Sequence, residues 1–189
     1  IGCGLIGSSL LRAIDKKKLS KKVNVFDKSK EVQSFIKNNL PGKAFNDINE
    51  SVKDSDLVII STPLSSYKEI LLSIKSNLKK NVILTDTGST KKEVNKVISN
   101  LNLKDVFWIA SHPIAGTENS GAKNALQGLF EDKWCILTPL SKKYKNIKKF
   151  SALWKYIGME IATMSVGEHD KVMSITSHLP HLIAFTIVN

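Results

Sequence analysis

The residues able to do chemistry in this chain are gathered in a few short segments. Gly2-x-Gly4-x-x-Gly7 has the spacing of a phosphate-binding turn. In that pattern the first glycine permits the tight turn after a strand. The second lets a pyrophosphate approach the backbone, and the third lets helix and strand pack closely. The helix that follows offers free N–H groups and the positive end of its dipole to the phosphates. Asp27 stands 20 residues past Gly7, at the end of the next strand pattern, where a carboxylate can accept from a ribose 2′-hydroxyl. A carboxylate there repels a 2′-phosphate, so NAD is expected over NADP. Lys28 and Lys30 stand close enough to pair with a phosphate and keep NADP open. Ser61-Thr62-Pro63 ends another strand on the same edge and is expected to touch the adenosine or nicotinamide half.

Two further strand ends carry residues suited to proton transfer. Asp86-Thr87-Gly88-Ser89-Thr90-Lys91 follows one, and Ser111-His112-Pro113-Ile114-Ala115-Gly116-Thr117-Glu118 follows the next. A histidine there can serve as general base, because its unperturbed pKa lies near neutrality. Spacing alone leaves His112 equally a base or a satisfied structural histidine beside a proline turn. Ser89 can orient the imidazole or a substrate hydroxyl, and Asp86 and Ser89 can instead cap the helix starting near Thr90. His169, His178 and His181 lie further on. The last two are three apart and can share a helix face, with Pro180 expected to bend the turn between them. No acidic or cysteine partner accompanies these histidines at ligand spacing, so no metal is expected.

These segments need a scaffold, and the hydrophobic pattern supplies one. Leu57 to Ile60 and Val82 to Thr85 are continuous runs of the kind buried on both faces of a parallel sheet. Shorter strand patterns lie at Val23 to Asp27, Val106 to Ala110 and Trp134 to Thr138, with a short strand near Glu160 to Thr163. Helical spacing covers Ser8 to Lys18, Ser29 to Asn39, Leu64 to Asn77 and Thr90 to Asn100. This alternation predicts an α/β fold, a Rossmann-type doubly wound sheet followed by the start of an all-α C-terminal domain. The expected division is residues 1–140 for dinucleotide binding and 141–189 for linking elements and the beginning of a helical substrate and dimerisation domain. Ile1 opens directly on the glycine motif, and Ile183 to Asn189 is an apolar helical pattern with no stop signal. A first strand before Ile1 and further helices after Asn189 are therefore expected.

Composition narrows the classes. The chain has 189 residues, 42% hydrophobic and 24% charged, ordinary for a globular protein. No apolar run suits a membrane span, and Cys3 and Cys135 form no pairing pattern, so a cytoplasmic protein is expected. The net charge of +11 comes from scattered lysines, with one arginine, Arg12. Nucleic-acid binding favours a basic patch interleaved with arginine and aromatic residues. None is expected here, although positive potential suits a small anionic substrate.

Four of the segments, in order, resemble those of the prephenate and arogenate dehydrogenases. They are Gly2 to Leu10, Asp86 to Lys91, Ser111 to Glu118, and Ser177 to His181. The resemblance implies oxidative decarboxylation of prephenate or arogenate, with hydride passing to the nicotinamide, in tyrosine synthesis. It implies His112 and Ser89 as the catalytic pair. It implies cofactor contacts at Gly2, Gly4, Leu5, Ile6, Gly7, Asp27, Thr62, Pro63, Asp86 and Gly88. Substrate contacts follow at His181, then His178, with Gly116 and Thr117, while His169 is left as structural. A homodimer through the helical domain is implied as well. The family places an arginine beyond the Ser177 to His181 segment to pair with a substrate carboxylate. No arginine follows Arg12, so that partner is expected outside this sequence. A β-hydroxyacid or 6-phosphogluconate-like dehydrogenase, which uses a lysine-centred site, and a non-catalytic nucleotide-sensing module are the alternatives.

Overall fold

A computed structural model describes residues 1–103, 105–140 and 144–188; Asn189, the last residue of the apolar helical pattern, lies outside that set. The elements run α1 (Leu5–Lys16), β1 (Asn24–Val25), α2 (Lys30–Asn39), β2 (Lys43–Ala44), α3 (Ile48–Val52) and β3 (Leu57–Ile60). A short 3₁₀ turn (Leu64–Ser66) then leads into α4 (Tyr67–Ile74), β4 (Val82–Asp86), α5 (Lys92–Leu101) and β5 (Val106–Pro113). Next come β6 (Trp134–Pro139), α6 (Tyr144–Ile157), β7 (Glu160–Thr163) and α7 (Val166–Met173). A π-helical turn (Ser174–His178) leads into α8 (Leu179–Val188).

Five strands form the main sheet in the order β3-β4-β5-β6-β7, and β1 pairs with β2 beside it. Every pairing is parallel except β5 with β6. The main sheet is doubly wound because its strands alternate between two apolar faces. Ile83 and Ile109 point into a core with Leu10 and Ala13 of α1 and Phe150 and Trp154 of α6. Val58, Ile60, Val82, Leu84 and Trp108 point the other way, against Leu71 and Ile74 of α4 and Val94 and Ile98 of α5. The continuous runs at β3 and β4 are thus explained, and every residue of β4 is buried. A third, smaller cluster of Leu11, Val25, Ile36 and Leu40 seats α2 on the short pair.

Several expectations change in detail. Val106 to Ala110 was expected as the strand, with Ser111 to Pro113 in the loop beyond it. In fact β5 continues through Pro113 because its second half pairs antiparallel with β6, His112 opposite Ile136. The expected helix from Leu64 begins as the 3₁₀ turn. The elements α3 and β2 had no signal long enough to read. Helix α5 starts at Lys92, and neither Asp86 nor Ser89 caps it. A domain boundary was expected near residue 140, yet β7 extends the main sheet to Thr163.

Candidate active site

The three glycines of the opening turn do three different things. Gly2 has φ +83°, and a Cβ there would lie 2.7 Å from the Ser61 carbonyl oxygen. A Cβ on Gly7 would meet the Gly2 carbonyl oxygen at 2.1 Å, so α1 lies against the turn only without one. At Gly4 a Cβ would meet nothing within 4 Å. That position faces open space, as a turn meant to admit a ligand requires. Ile1 and Gly2 join the two sheets: Ser61 N–H donates to the Ile1 carbonyl, and Gly2 N–H donates to the Phe26 carbonyl. The turn therefore sits at the carboxyl ends of β1 and β3 together.

Helix α1 has no side chain capping its first turn and no acidic residue there. By contrast α2, α3 and α7 are capped by Ser29, Asp47 and Ser165. Its first N–H groups and dipole are left for an anion. Asp27 is half-buried; one carboxylate oxygen accepts Cys3 N–H at 2.7 Å and the other accepts Ser29 N–H at 2.9 Å. Each oxygen keeps a further lone pair for a hydroxyl. Beside Gly2, the hydroxyl of Thr62 is buried without a hydrogen-bond partner among the described residues. An open glycine, an uncapped helix start, a held carboxylate and an orphaned hydroxyl fit a dinucleotide. Two outcomes follow for single substitutions. Gly7→Ala is expected to lose the fold of the turn, while Gly4→Ala should fold normally and bind the cofactor more weakly. Thermal melts and dinucleotide titrations separate them; a Gly7→Ala protein with unchanged melting and binding would contradict the packing argument.

Asp86, expected to touch the cofactor, is instead wholly buried and engaged. Its carboxylate accepts Lys91 Nζ at 2.6 Å, Gly88 N–H at 3.0 Å and Ser111 N–H at 3.2 Å, with the Tyr67 hydroxyl at 3.4 Å. Lys91 is equally buried and also donates to the Ser111 carbonyl at 2.7 Å. Burial pushes the Asp86 carboxyl up and the Lys91 amine down, and each partner pulls the other back toward its charged form. The pair clamps the end of β4 to β5. Because β5 runs past β4, His112 stands beyond that clamp.

His112 is only 9% exposed. Its Nδ1 lies 2.9 Å from Nε2 of His169, and Nδ1 of His169 lies 2.7 Å from Oδ1 of Asp170. His169 has no exposed surface. Asp170 also accepts the N–H groups of Lys91 and Lys92, each at 2.9 Å, and so supplies from α7 the N-terminal cap that α5 lacks. Sequence reading set His169 aside as structural and passed over Asp170. The available signal was Ser165-x-x-Glu168, which forms a capping box that fixes the start of α7 one turn ahead of the pair. Ser89 is exposed and makes no hydrogen bond to His112 among the described residues.

Burial holds the His112 imidazole down at about 3, with Lys91, His169 and His178 adding to the shift. The folded group is therefore neutral at neutral pH. Between about pH 6.5 and 3 the unfolded chain binds this proton and the folded chain does not. Stability from this source is full above about pH 6.5 and is lost as the pH falls. The urea midpoint should drop between pH 7 and 5, and drop less in His112→Gln; equal drops would contradict the assignment.

His178 and His181 are both exposed. His178 lies near enough to His112 to disfavour its protonation, and His181 donates from Nδ1 to the Ser177 carbonyl at 2.8 Å. The resemblance ranks His181 first, but the electrostatic influence on His112 is that of His178. Pro180 stands in the first turn of α8, directly after the π-helical turn. Gly116 and Thr117 lie exposed on the loop after β5, and the Thr117 hydroxyl exchanges hydrogen bonds with the Asn119 backbone. Among the described residues no group of three or more His, Cys, Asp or Glu could hold a metal ion, and no helix is long and apolar enough to cross a membrane.

Fold and turn together define a Rossmann-type dinucleotide-binding protein. Residues 10–163 match the family described as prephenate dehydrogenase, nucleotide-binding domain, and the chain belongs to that family. It is 38% identical over 190 residues to the cyclohexadienyl dehydrogenase of Zymomonas mobilis, covering 100% of this chain and 64% of that protein. With the prephenate dehydrogenase of Bacillus subtilis it shares 32% identity over 191 residues, 100% of this chain and 52% of that one. The chain thus spans between half and two thirds of these relatives. Among solved structures, prephenate dehydrogenase from Aquifex aeolicus, in complex with hydroxyphenyl propionate and NAD+, superposes with a TM-score of 0.88 at 30% identity. That match covers 99% of this chain and 66% of the other.

Proposed function

We propose that this domain binds NAD at the Gly2–Gly7 turn and that the whole protein oxidatively decarboxylates prephenate, arogenate or both. The observation that carries the reading is His112. It is a nearly buried, neutral imidazole whose Nε2 has no protein hydrogen-bond partner among the described residues, on a strand whose carboxyl end shares an edge with the glycine turn. When bound, NAD would supply the hydride acceptor for the ring carbon that bears the hydroxyl. His112 takes the hydroxyl proton as carbonyl character develops there, and the ring carboxylate leaves as carbon dioxide while the ring aromatises. Gly2, Gly4, Leu5, Ile6 and Gly7 cradle the pyrophosphate, and Asp27 takes the ribose hydroxyls. Thr62 and Pro63 would contact the adenosine or nicotinamide half, and Gly88 is assigned to the cofactor as well.

Exposed and unattached to the imidazole, Ser89 is available to the substrate hydroxyl. His178, His181, Gly116 and Thr117 are assigned to the substrate. Helix α8 exposes Leu182, Ile183, Phe185, Ile187 and Val188, a surface suited to a homodimer contact. The setting in this reading is the cytoplasm, where Cys3 and Cys135, both free, stay reduced.

The test is NADH absorbance with the full-length protein, prephenate and arogenate supplied separately and NAD beside NADP. Turnover with at least one substrate, faster with NAD, is expected. Oxidation of neither would overturn the functional reading, and a preference for NADP would overturn the assignment of Asp27.

A further inference from the structure

The contacts behind His112 determine where its proton sits. Asp170 accepts two backbone N–H groups, one on each oxygen, and a backbone N–H can only donate. Those two bonds, with the histidine beside it, favour the ionised carboxylate. A carboxylate can only accept, so Nδ1 of His169 carries hydrogen toward Oδ1. His169 is wholly buried with the Lys91 ammonium nearby, and both disfavour a second proton on it. Its Nε2 is therefore a bare acceptor. The 2.9 Å contact to His112 then requires that Nδ1 of His112 donates. A neutral imidazole with hydrogen on Nδ1 has none on Nε2.

We propose that His169 and Asp170 are positioning residues: they fix the hydrogen of His112 on Nδ1 and so keep its Nε2 a bare acceptor for the substrate hydroxyl. The inference rests on the reading of His112 as the base. When Nε2 takes the proton, the imidazolium Nδ1–H bond to His169 strengthens, and Asp170 stabilises the charge through His169. Protonation of His169 would reverse both directions. His112 would then accept at Nδ1 and hold its own hydrogen on Nε2, where it could only donate. The relay also joins two elements of the fold, because the same Asp170 carboxylate caps α5 just after the Gly88–Ser89 loop.

The test uses full-length protein labelled with [15N]histidine, the His112 signals being identified by their loss in His112→Asn. Long-range 1H–15N correlations should show Nδ1 of His112 protonated and Nε2 bare at neutral pH. His169→Gln keeps an acceptor for Nδ1–H and should hold both this pattern and kcat within about tenfold. His169→Leu removes the acceptor and should lose the fixed tautomer. Its kcat should fall by about a hundredfold, within the range of acid–base contributions, with the NAD dissociation constant unchanged. A hydrogen on Nε2 of His112 in the wild-type protein overturns the proposal, as does a His169→Leu enzyme with wild-type kcat. The wild-type spectrum decides even if the leucine variant does not fold. It also decides if the protein oxidises neither prephenate nor arogenate, which would sink the functional reading alone.

Discussion

His112→Asn is expected to lower kcat by about 10²- to 10⁴-fold, the usual contribution of a positioned acid–base group, while NAD binds as before. The side chain is nearly the right size, so the loss would not come from a cavity. Asparagine can still donate or accept one hydrogen bond, but it cannot hold the proton that leaves the substrate hydroxyl. The proposed cofactor contacts lie on the glycine turn and Asp27, to which the His112 side chain makes no hydrogen bond among the described residues. Binding and chemistry should therefore separate, with the dissociation constant for NAD flat and kcat collapsed. Steady-state kinetics beside a fluorescence titration of NAD reads both. Near-normal turnover in this variant would remove His112 from the proposed chemistry.

The second large effect concerns stability. Asp86 and Lys91 form an ion pair at 2.6 Å with no exposed side-chain surface on either partner. Removing one partner of such a pair strands a buried charge, at a cost of about 3–5 kcal/mol. Asp86→Leu should therefore shift the urea midpoint strongly downward. Asp86→Leu combined with Lys91→Met should recover part of that loss, because no charge is left unpaired. Recovery stays partial, since Gly88 N–H and Ser111 N–H also lose their acceptor. An Asp86→Leu protein within about 1 kcal/mol of wild type would show that water reaches the pair.

The parts of this site written in local spacing were legible. The β3 and β4 runs, the glycine turn and Asp27 each depend on residues close in sequence or on a fixed strand–helix spacing, and they stand where the pattern puts them. What escaped depends on pairs brought together only by the fold. His169 lies 57 residues from His112, so no periodicity links them, and a histidine next to a capping box reads as part of a helix. The cap on α5 was sought in Asp86 and Ser89, its sequence neighbours, but comes from Asp170, 79 residues from Lys91. Asp86 itself looked like a polar residue on an open strand end. Its burial follows from Lys91, five residues on, folding back beneath β5. The continuation of β5 through His112 was hidden for a related reason, since its partner β6 follows a loop of some 20 residues.

His112 and the glycine turn are proposed to serve together an oxidation coupled to loss of carboxylate. The most direct test of that proposal measures NADH and carbon dioxide in one reaction of the full-length protein with prephenate, and again with arogenate. Equal yields of the two products from at least one substrate, both abolished together in His112→Asn, are predicted. NADH formed without carbon dioxide, or carbon dioxide released without NADH, would contradict the account.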